Sequence, residues 1–314
     1  MFRPTIGITM GDPAGIGPEI IQKALKSARI GGLCHPVIIG SAKVLRRSGV
    51  KNVSIVDCAP VDLRRTRPGR ISAEAGRAAF ASIATATEMA LEGQLSALVT
   101  APICKQALHL AGQRYPGHTE LIAELTKTKR FAMMLTAGKL RVVLVTTHLP
   151  LARVGDSITK TRVNNTIVIV HKALQELFGI RRPRLAICAL NPHAGEGGVF
   201  GKDEKTAIVP AIEKALRQGI QAQGPFPADT LFAPARRRFF DAIVAMYHDQ
   251  GLIPIKMAGF GKAVNITLGL PIIRTSPDHG TAFEIAGRGE ADPSSMVRAI
   301  EMAVRLARRK RRRG

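Results

Sequence analysis

The 314-residue sequence contains no tryptophan, and aromatic residues make up only 4% of it. Proteins that bind single-stranded nucleic acids stack the bases on aromatic side chains, so this scarcity argues against that class. The sequence also lacks an apolar run near the roughly 20 residues that cross a bilayer, which argues against a membrane protein. Its four cysteines show no CxxC spacing, and we interpret them as the reduced thiols of a cytoplasmic protein.

Negative charge is scarce as well. The chain has 23 Asp and Glu residues against 46 Lys and Arg, and seven of the positive charges lie in its last ten residues, 305–314. Because no recognisable nucleic-acid-binding motif accompanies these charges, we interpret them as a solvated basic surface that ends in a disordered tail, dispensable for activity. A protein that binds nucleic acid through this tail is the alternative. The positive field would also attract a phosphorylated small molecule.

Apolar strands alternate with helical patterns along the whole chain, from a strand at 4–10 to a closing helix from about 294. The alternation predicts the α/β class, with a largely parallel sheet in three layers. Two of the predicted helices are long, one at 72–91 and one at 156–178. No linker or boundary interrupts the pattern, so we expect residues 1–304 to form one catalytic unit.

Three of the apolar strands end in a histidine. They are the strands of RLAICALNPH, VVLVTTH and AMYHDQGLIPIK, which end at His193, His148 and His248. The carboxyl ends of parallel strands meet at one edge of a sheet, where α/β proteins place their chemistry. Three neutral imidazoles around one divalent cation, with open positions, would form a catalytic metal site. Three hydrogen-bonded structural histidines are the alternative. After His248 we expect a proline-containing bend that leads to Lys256.

The glycine-rich turn MGDPAGIGPE, residues 10–19, follows a strand and opens a helix. Such a turn suits a phosphate or another anion, because free backbone N–H groups point out of the start of the helix. Its spacing matches neither the GxGxxG fingerprint nor the Walker A pattern. Tight packing of the strand against the helix explains the glycines nearly as well.

Longer motifs resemble the 4-hydroxythreonine-4-phosphate dehydrogenase family of pyridoxal phosphate biosynthesis. They follow the family's order from residue 6 to about 296 and read GITMGDPAGIGPEI, TAPICKQAL, YPGHTELIAELT, LVTTHLPLARV, NPHAGEGGVFG, GPFPADTLF, AMYHDQGLIPIK, AVNITLGLPIIRTSPDHGTAFEIAG and ADPSSM. The resemblance implies a three-layer α/β/α fold like that of isocitrate and isopropylmalate dehydrogenases, with two intertwined subdomains around a cleft. It also implies a homodimer with sites shared between subunits, NAD or NADP as cofactor, and one divalent ion per site, which could be Zn, Mg, Mn or Co.

The resemblance also assigns residues. The family's metal ligands fall on His148, His193 and His248. Its substrate-binding residues fall on His118, Thr119, Lys256, Asn265 and Arg274. Two motif aspartates correspond to Asp229 and Asp249, which we expect to orient the imidazoles and to assist catalysis together with Lys256. The loop beginning at Asp278 is similar to the one that holds the adenosine of NAD, and it predicts cofactor contacts at His279, Gly280 and Thr281.

Three of these residues also have simpler explanations. Lys256 could be a surface lysine that follows a strand, and Arg274 could make a structural ion pair instead of a bidentate contact with phosphate or carboxylate. Thr119 could act only as the N-cap of the helix that opens at GHTELI.

The implied reaction is the oxidation of 4-phosphohydroxy-L-threonine to a β-keto acid, which loses carbon dioxide to give 3-amino-2-oxopropyl phosphate. A related dehydrogenase of threonate or erythronate 4-phosphate is the alternative with the same mechanism. The two substrate types differ by an amine or a hydroxyl next to the carboxylate, and the motifs do not discriminate between them. We expect a phosphorylated small molecule as the partner, and neither a membrane nor nucleic acid.

Overall fold

Strands and helices alternate along the chain in the computed structural model, which describes residues 2–259 and 261–312. The strands are β1 (Thr5–Thr9), β2 (His35–Gly40), β3 (Ser54–Asp57), β4 (Ala97–Thr100), β5 (Ala132–Ala137), β6 (Leu140–Leu144), β7 (Arg184–Cys188), β8 (Gln221–Phe226), β9 (Ala242–Ala245), β10 (Val264–Leu268) and β11 (Arg274–Pro277). The α-helices are α1 (Gly17–Leu25), α2 (Ala42–Arg47), α3 (Ala73–Leu91), α4 (Lys105–Leu110), α5 (His118–Leu125), α6 (Val154–Ser157), α7 (Lys160–Glu176), α8 (Val209–Arg217), α9 (Ala228–Leu231), α10 (Pro234–Arg237), α11 (His248–Gly259) and α12 (Ser294–Arg311). The predicted α/β class is confirmed.

The residues form two compact units whose segments interleave in the sequence. Unit 1 consists of Met1–Lys129, Val264–Ile266 and Leu270–Gly314, and unit 2 consists of Arg130–Ala263 and Thr267–Gly269. The chain therefore returns to unit 1 for the first part of β10, for β11 and for its closing helix.

Unit 1 contains parallel strands in the order β3-β2-β1-β4-β11. Helix α3 packs against β1, β2 and β4, and α12 packs against β1, β4 and β11. All of β4 and nearly all of β1 are buried, as expected for parallel strands that are covered on both faces. Helix α3 begins where the Ser72 hydroxyl accepts a hydrogen bond from Ala75 N at 3.1 Å. Its Gly76 lets α4 approach closely, because a Cβ there would lie 1.9 Å from Ala107 O.

Unit 2 contains strands in the order β5-β6-β9-β7-β8. The β5–β6 pair is an antiparallel hairpin that turns at Gly138, whereas β6, β9, β7 and β8 run parallel. Their register aligns Val143 with Val244, and Val244 with Ile187. The carboxyl ends of β6, β9 and β7 therefore lie side by side at one edge of the sheet.

Two predicted elements of unit 2 differ from the structure. The segment after His248 is not a bend: it forms α11, with Pro254 inside the helix. The long helix predicted at 156–178 is two helices, because Ile158 is extended and buried and the Thr159 hydroxyl caps a new start by accepting from Arg162 N at 3.2 Å. An apolar pattern shows which face of a segment is buried, but it does not show such a local break.

The prediction of a disordered basic tail is wrong for the described part of 305–314. Helix α12 continues to Arg311, and both Leu306 and Ala307 are buried. Arg308 donates hydrogen bonds to Phe2 O at 3.0 Å and to Leu33 O at 2.9 Å. One side of the helix thus remains apolar and buried within the basic segment. Residues 313 and 314 lie outside the described residues. Among the described helices, none is both long enough and apolar enough to span a bilayer.

Candidate active site

His148 and His248 lie close together at the edge of unit 2 where β6 and β9 end. The two strands stay paired beyond their last regular residues, because Val145 N donates to Ala245 O at 2.9 Å and the Thr146 hydroxyl donates to Met246 O at 2.7 Å. This pairing brings the two imidazole rings to a centroid distance of 5.9 Å. The predicted convergence is therefore observed for these two histidines.

His248 has a carboxylate partner. Its Nδ1 lies 2.7 Å from Oδ1 of Asp249. A carboxylate can only accept a hydrogen bond, so Nδ1 carries the hydrogen and Nε2 is the ring nitrogen that can bind a metal. This is the arrangement in which a carboxylate orients a metal-binding histidine. The contact supports the orienting role expected for Asp249, which stays a prediction.

His193 is carried by a loop with an unusual backbone. Between Pro192 and Gly198 the φ angles of His193, Ala194 and Glu196 are 51°, 55° and 39°, in the left-handed region that residues with a Cβ rarely adopt. Each such residue costs on the order of 1–3 kcal/mol, so the surrounding structure must hold it in place. The strain singles out this loop as a candidate functional segment.

A pocket of about 590 Å³ opens beside these strand ends. His193, Asp229 and Asp249 are among its lining residues, whereas Lys256 is exposed elsewhere on α11. Gln250 also lines the pocket and was missed by sequence reasoning. Its side chain accepts from Met246 N and donates to Ala189 O, both at 2.7 Å, so it ties the ends of β9 and β7 together.

The donor set at this edge suits a divalent cation. Imidazole nitrogens, with carboxylates next to them, are the ligands that zinc and similar metals prefer in catalytic sites. Within the described part of this single chain, however, no group of three or more His, Cys, Asp or Glu side chains is arranged to hold an ion. The pairing of His148 with His248 supports the predicted site, and the participation of His193 stays a prediction.

Unit 1 carries a second polar cluster, at the ends of β4 and β11. Arg274 is fully buried and donates from Nε and Nη2 to the Thr100 hydroxyl, at 3.1 and 2.7 Å. Nε2 of His118 lies 3.1 Å from Ala101 O and therefore donates to it. Thr119, also predicted, is buried in the first turn of α5, but the N-cap of that helix is Gly117, so the simpler N-cap explanation of Thr119 is wrong.

Burial and charge set the protonation of this cluster. Burial and the neighbouring cations Arg274 and Lys105 hold the pKa of His118 well below its usual value. Burial lowers the pKa of Arg274 to about 10, opposed by the nearby Glu120 carboxylate. At neutral pH a charged guanidinium therefore lies beside a neutral imidazole. A desolvated arginine of this kind suits a phosphate or carboxylate.

Asn265, the remaining predicted substrate residue of unit 1, lies on β10. Its Oδ1 is buried and has no hydrogen-bond partner among the described residues. Buried polar atoms are almost always paired, so an atom of this kind suggests a contact with a bound molecule.

The glycine-rich turn and the predicted cofactor loop meet in unit 1. Ile16 N donates to Thr281 O at 3.0 Å, and a Cβ on Gly15 would lie 3.0 Å from Cβ of Thr281. Gly17 supports the packing explanation, since a Cβ there would lie 2.4 Å from Met10 O. His279 and Gly280 are exposed beside Thr281, so the loop that carries the three predicted cofactor contacts lies against the turn.

Asp12 is the buried carboxyl of this turn, and sequence reasoning did not select it. It is completely buried, and its Oδ1 accepts from Ala14 N at 2.8 Å. Burial raises its pKa to about 6, although hydrogen bonds from the backbone N–H groups of Ala14 and Cys104 oppose the rise. Its Oδ2 has no partner among the described residues.

Comparison with known proteins decides the family. The model of the family described as pyridoxal phosphate biosynthetic protein PdxA matches residues 20–303. The chain belongs to the PdxA family. A 4-hydroxythreonine-4-phosphate dehydrogenase of Desulforapulum autotrophicum is 47% identical, over 96% of this chain and 95% of that protein. The family predicted from the motifs is thus confirmed.

Two further PdxA relatives refine the comparison. The crystal structure of a 4-hydroxythreonine-4-phosphate dehydrogenase from Klebsiella pneumoniae is 43% identical, covers 97% of this chain and 99% of its own, and superposes with a TM-score of 0.88. A D-threonate 4-phosphate dehydrogenase of Salmonella typhimurium is also 43% identical, over 98% of this chain and all of that protein. Proteins of both names are thus at least 43% identical to this chain over nearly its whole length.

Proposed function

We propose that this PdxA protein is an NAD- or NADP-dependent 4-hydroxythreonine-4-phosphate dehydrogenase. It oxidises 4-phosphohydroxy-L-threonine to a β-keto acid, which loses carbon dioxide to give 3-amino-2-oxopropyl phosphate for pyridoxal 5'-phosphate biosynthesis. The observation that carries the proposal is the similarity to proteins of this name over nearly the whole chain. The polar clusters of the two units supply the chemistry that the reaction requires.

The cluster of unit 1 is assigned to the anionic ends of the substrate. The buried Arg274 guanidinium binds phosphate or carboxylate, and Thr119 with the start of α5 offers hydroxyl and backbone donors. His118 is neutral and donates Nε2–H to Ala101 O, so its Nδ1 accepts a hydrogen from a substrate hydroxyl or ammonium group. Asn265 supplies a further polar contact through Oδ1, which has no partner within the described part of the chain.

The cluster of unit 2 is assigned to the reacting alcohol. His148, His193 and His248 would hold one Zn, Mg, Mn or Co ion. Such an ion, when bound, lowers the pKa of a coordinated alcohol and polarises a carbonyl. Asp249 holds the ring of His248 in the required tautomer, and Asp229 adds a carboxylate to the rim of the same pocket. Lys256 does not line this pocket in the single chain, and we assign it as the proton donor after loss of carbon dioxide in a site that a second subunit completes.

The cofactor is assigned to the loop of unit 1 that carries His279, Gly280 and Thr281. Its contact with the glycine-rich turn supports this assignment, because the hydrogen bond from Ile16 N to Thr281 O fixes the loop against the start of α1. Glu19 accepts from Ala291 N at 2.8 Å and so fixes the far end of the loop region against α1.

We further propose a cytoplasmic homodimer with sites shared between subunits. Three apolar side chains of unit 2 are among the most exposed: Leu151 at 73%, Val199 at 76% and Met257 at 84%. They lie on the three segments that follow His148, His193 and His248. Exposed apolar side chains at such positions favour association with another protein surface. All four cysteines are free thiols, which supports a reducing compartment.

A substrate panel tests the function. NAD and NADP reduction are measured with 4-phosphohydroxy-L-threonine and with threonate and erythronate 4-phosphates, before and after treatment with a chelator and after metal is added back. We expect the amino-acid phosphate to give the highest kcat/KM, and activity to vanish with the metal. The 43% identity to a D-threonate 4-phosphate dehydrogenase favours the sugar-acid phosphates as the second candidate. Faster turnover of a hydroxy acid would replace the first proposal with this one.

A further inference from the structure

We propose that Glu204 and Asn191 form a clamp that holds the left-handed loop 192–198 in the shape that directs His193 to the metal. Both are proposed as positioning residues that act through His193. The inference rests on the proposed metal site and adds two residues that the motif analysis did not select.

Glu204 is a buried acid, 4% exposed, whose two oxygens are occupied by the start of the loop. Its Oε1 accepts from Leu190 N at 2.9 Å and from Asn191 N at 2.8 Å. Its Oε2 accepts from Nδ2 of Asn191 at 3.0 Å. Hydrogen bonds to a charged, buried acceptor are among the stronger ones in proteins, so these three contacts fix the chain just before His193.

The same two side chains also confine the rest of the loop. A Cβ on Gly195 would lie 2.6 Å from Oε2 of Glu204, and one on Gly201 would lie 2.5 Å from Nδ2 of Asn191. Both glycines have positive φ. The loop therefore passes directly over the clamp, at places that only glycine allows. Nδ2 of Asn191 also donates to Oδ2 of Asp203 at 3.0 Å, which joins the start of the loop to its end.

The clamp explains how the strain at His193 is maintained. The His193 side chain is exposed, with the Phe200 ring at a centroid distance of 6.1 Å, so its direction depends mainly on its backbone. That backbone is left-handed at three residues with a Cβ, which a free loop would not maintain. Glu204 begins a π-helical turn, Glu204–Ile208, an irregularity frequent at functional sites. We infer that the turn aims the Glu204 carboxylate at the loop.

Glu204→Gln tests the clamp with the least change in shape. The amide keeps one oxygen for the two backbone donors but places its NH₂ opposite the NH₂ of Asn191, so that two donors face each other. Glu213→Gln, at an exposed position on the following helix α8, is the matched control. Asn191→Ala is a second variant, which removes the hydrogen bonds from the Asn191 side chain to Glu204 and to Asp203 but keeps the backbone N–H that donates to Glu204.

Two measurements separate positioning from simple stability. We titrate the metal-free proteins with Zn²⁺ or Co²⁺ alone by calorimetry, and we follow tryptic cleavage at the exposed Lys202 and Lys205 without metal. Glu204→Gln should bind metal about 10–100-fold more weakly, as is typical when a residue that orients a ligand is lost. It should also be cleaved several-fold faster at these lysines, with little change in Tm. Glu213→Gln should match the wild type in both.

The outcomes distinguish the clamp from the site on which it depends. A folded Glu204→Gln protein with wild-type metal affinity and wild-type cleavage would overturn the clamp, and so would a folded Asn191→Ala protein with the same result. If His193→Ala also binds metal like the wild type, the proposed metal site itself fails. If His193→Ala loses metal while both clamp variants keep it, only the clamp fails. Should Glu204→Gln not fold, Asn191→Ala decides.

Discussion

Asp12 illustrates a side chain whose charge state follows from burial. The carboxyl is completely buried at the end of β1, and two backbone N–H groups do not fully compensate for the loss of water, so its pKa rises to about 6. The folded protein therefore binds this proton more tightly than the unfolded chain does, for which the ordinary value of 3.8 applies. The protonated carboxyl therefore stabilises the fold at low pH, and this stabilisation is lost as the pH rises through 6.

Asp12→Asn should remove this pH dependence. Between pH 5 and pH 8 we expect the free energy of unfolding of the wild type to fall by about 1 kcal/mol relative to that of the variant. Urea unfolding at several pH values measures the difference, with Asp62→Asn as the control, because Asp62 is a partly exposed acid whose pKa is lowered by its hydrogen bonds to Arg64. A difference that is constant between pH 5 and 8 would show that Asp12 is ionised at the lower pH.

At the same scale, the sequence was sufficient to find the candidate ligands but not the residues that hold them. His148 and His248 could be predicted because each follows an apolar strand, and parallel strands end at a common edge. Glu204 could not be predicted, because its role depends on contacts with Asn191 and Leu190, which lie 13 and 14 positions earlier. The loop between them is left-handed, and that shape has no simple sequence pattern. Gln250 was missed for the same reason: its partner Ala189 lies just after β7, 61 residues earlier in the chain.

Helix α12 shows why a run of charge is a poor guide to disorder. Its last turns carry several arginines, but every third or fourth residue is apolar and faces unit 1, and the long basic side chains reach carbonyls such as Phe2 O and Pro271 O. The guanidinium of Arg311 lies 4.0 Å from the centroid of the Phe2 ring. A basic segment can thus be structural on one side and solvated on the other.

Truncation before Leu306 should therefore destabilise unit 1. Loss of the buried Leu306 and Ala307, together with the hydrogen bonds of Arg308, should lower the free energy of unfolding by about 2–4 kcal/mol. Thermal unfolding measures the effect. The control is a full-length protein in which the exposed Arg309 and Arg312 are replaced by Gln, which should unfold like the wild type. A truncated chain with an unchanged Tm would restore the earlier interpretation of a dispensable tail.

At the element level, capping residues and apolar runs were sufficient to predict the long helix α3 and the strands that precede the site. The division of 156–178 at Ile158 did not, because the break depends on burial of that side chain within unit 2. The π-helical turn at Glu204 was also missed, since its helical pattern is continuous with that of α8. The interleaving of the two units follows from pairings between distant segments, for which no local signal exists.

The association of whole molecules is the part of the proposal that one substitution tests most directly. Leu151 is 73% exposed, three residues after His148, and we assign it to the surface that meets a second subunit. Leu151→Arg should weaken the dimer at least 10-fold, because a charge buried without a partner is costly at an interface. If the sites are shared between subunits, activity should fall in parallel and should recover as the protein concentration is raised.

Leu216→Arg is the matched control for this experiment. Leu216 is also an exposed leucine of unit 2, at 52%, but it lies at the end of α8 just before β8 begins, and so at the edge of the sheet opposite the histidines. Light scattering after gel filtration gives the mass, and NAD reduction at several dilutions gives the activity. A Leu151→Arg protein that remains a dimer excludes this surface. A fully active monomer would show that each chain completes its own site, and the histidines of one chain would then have to converge when substrate and metal bind.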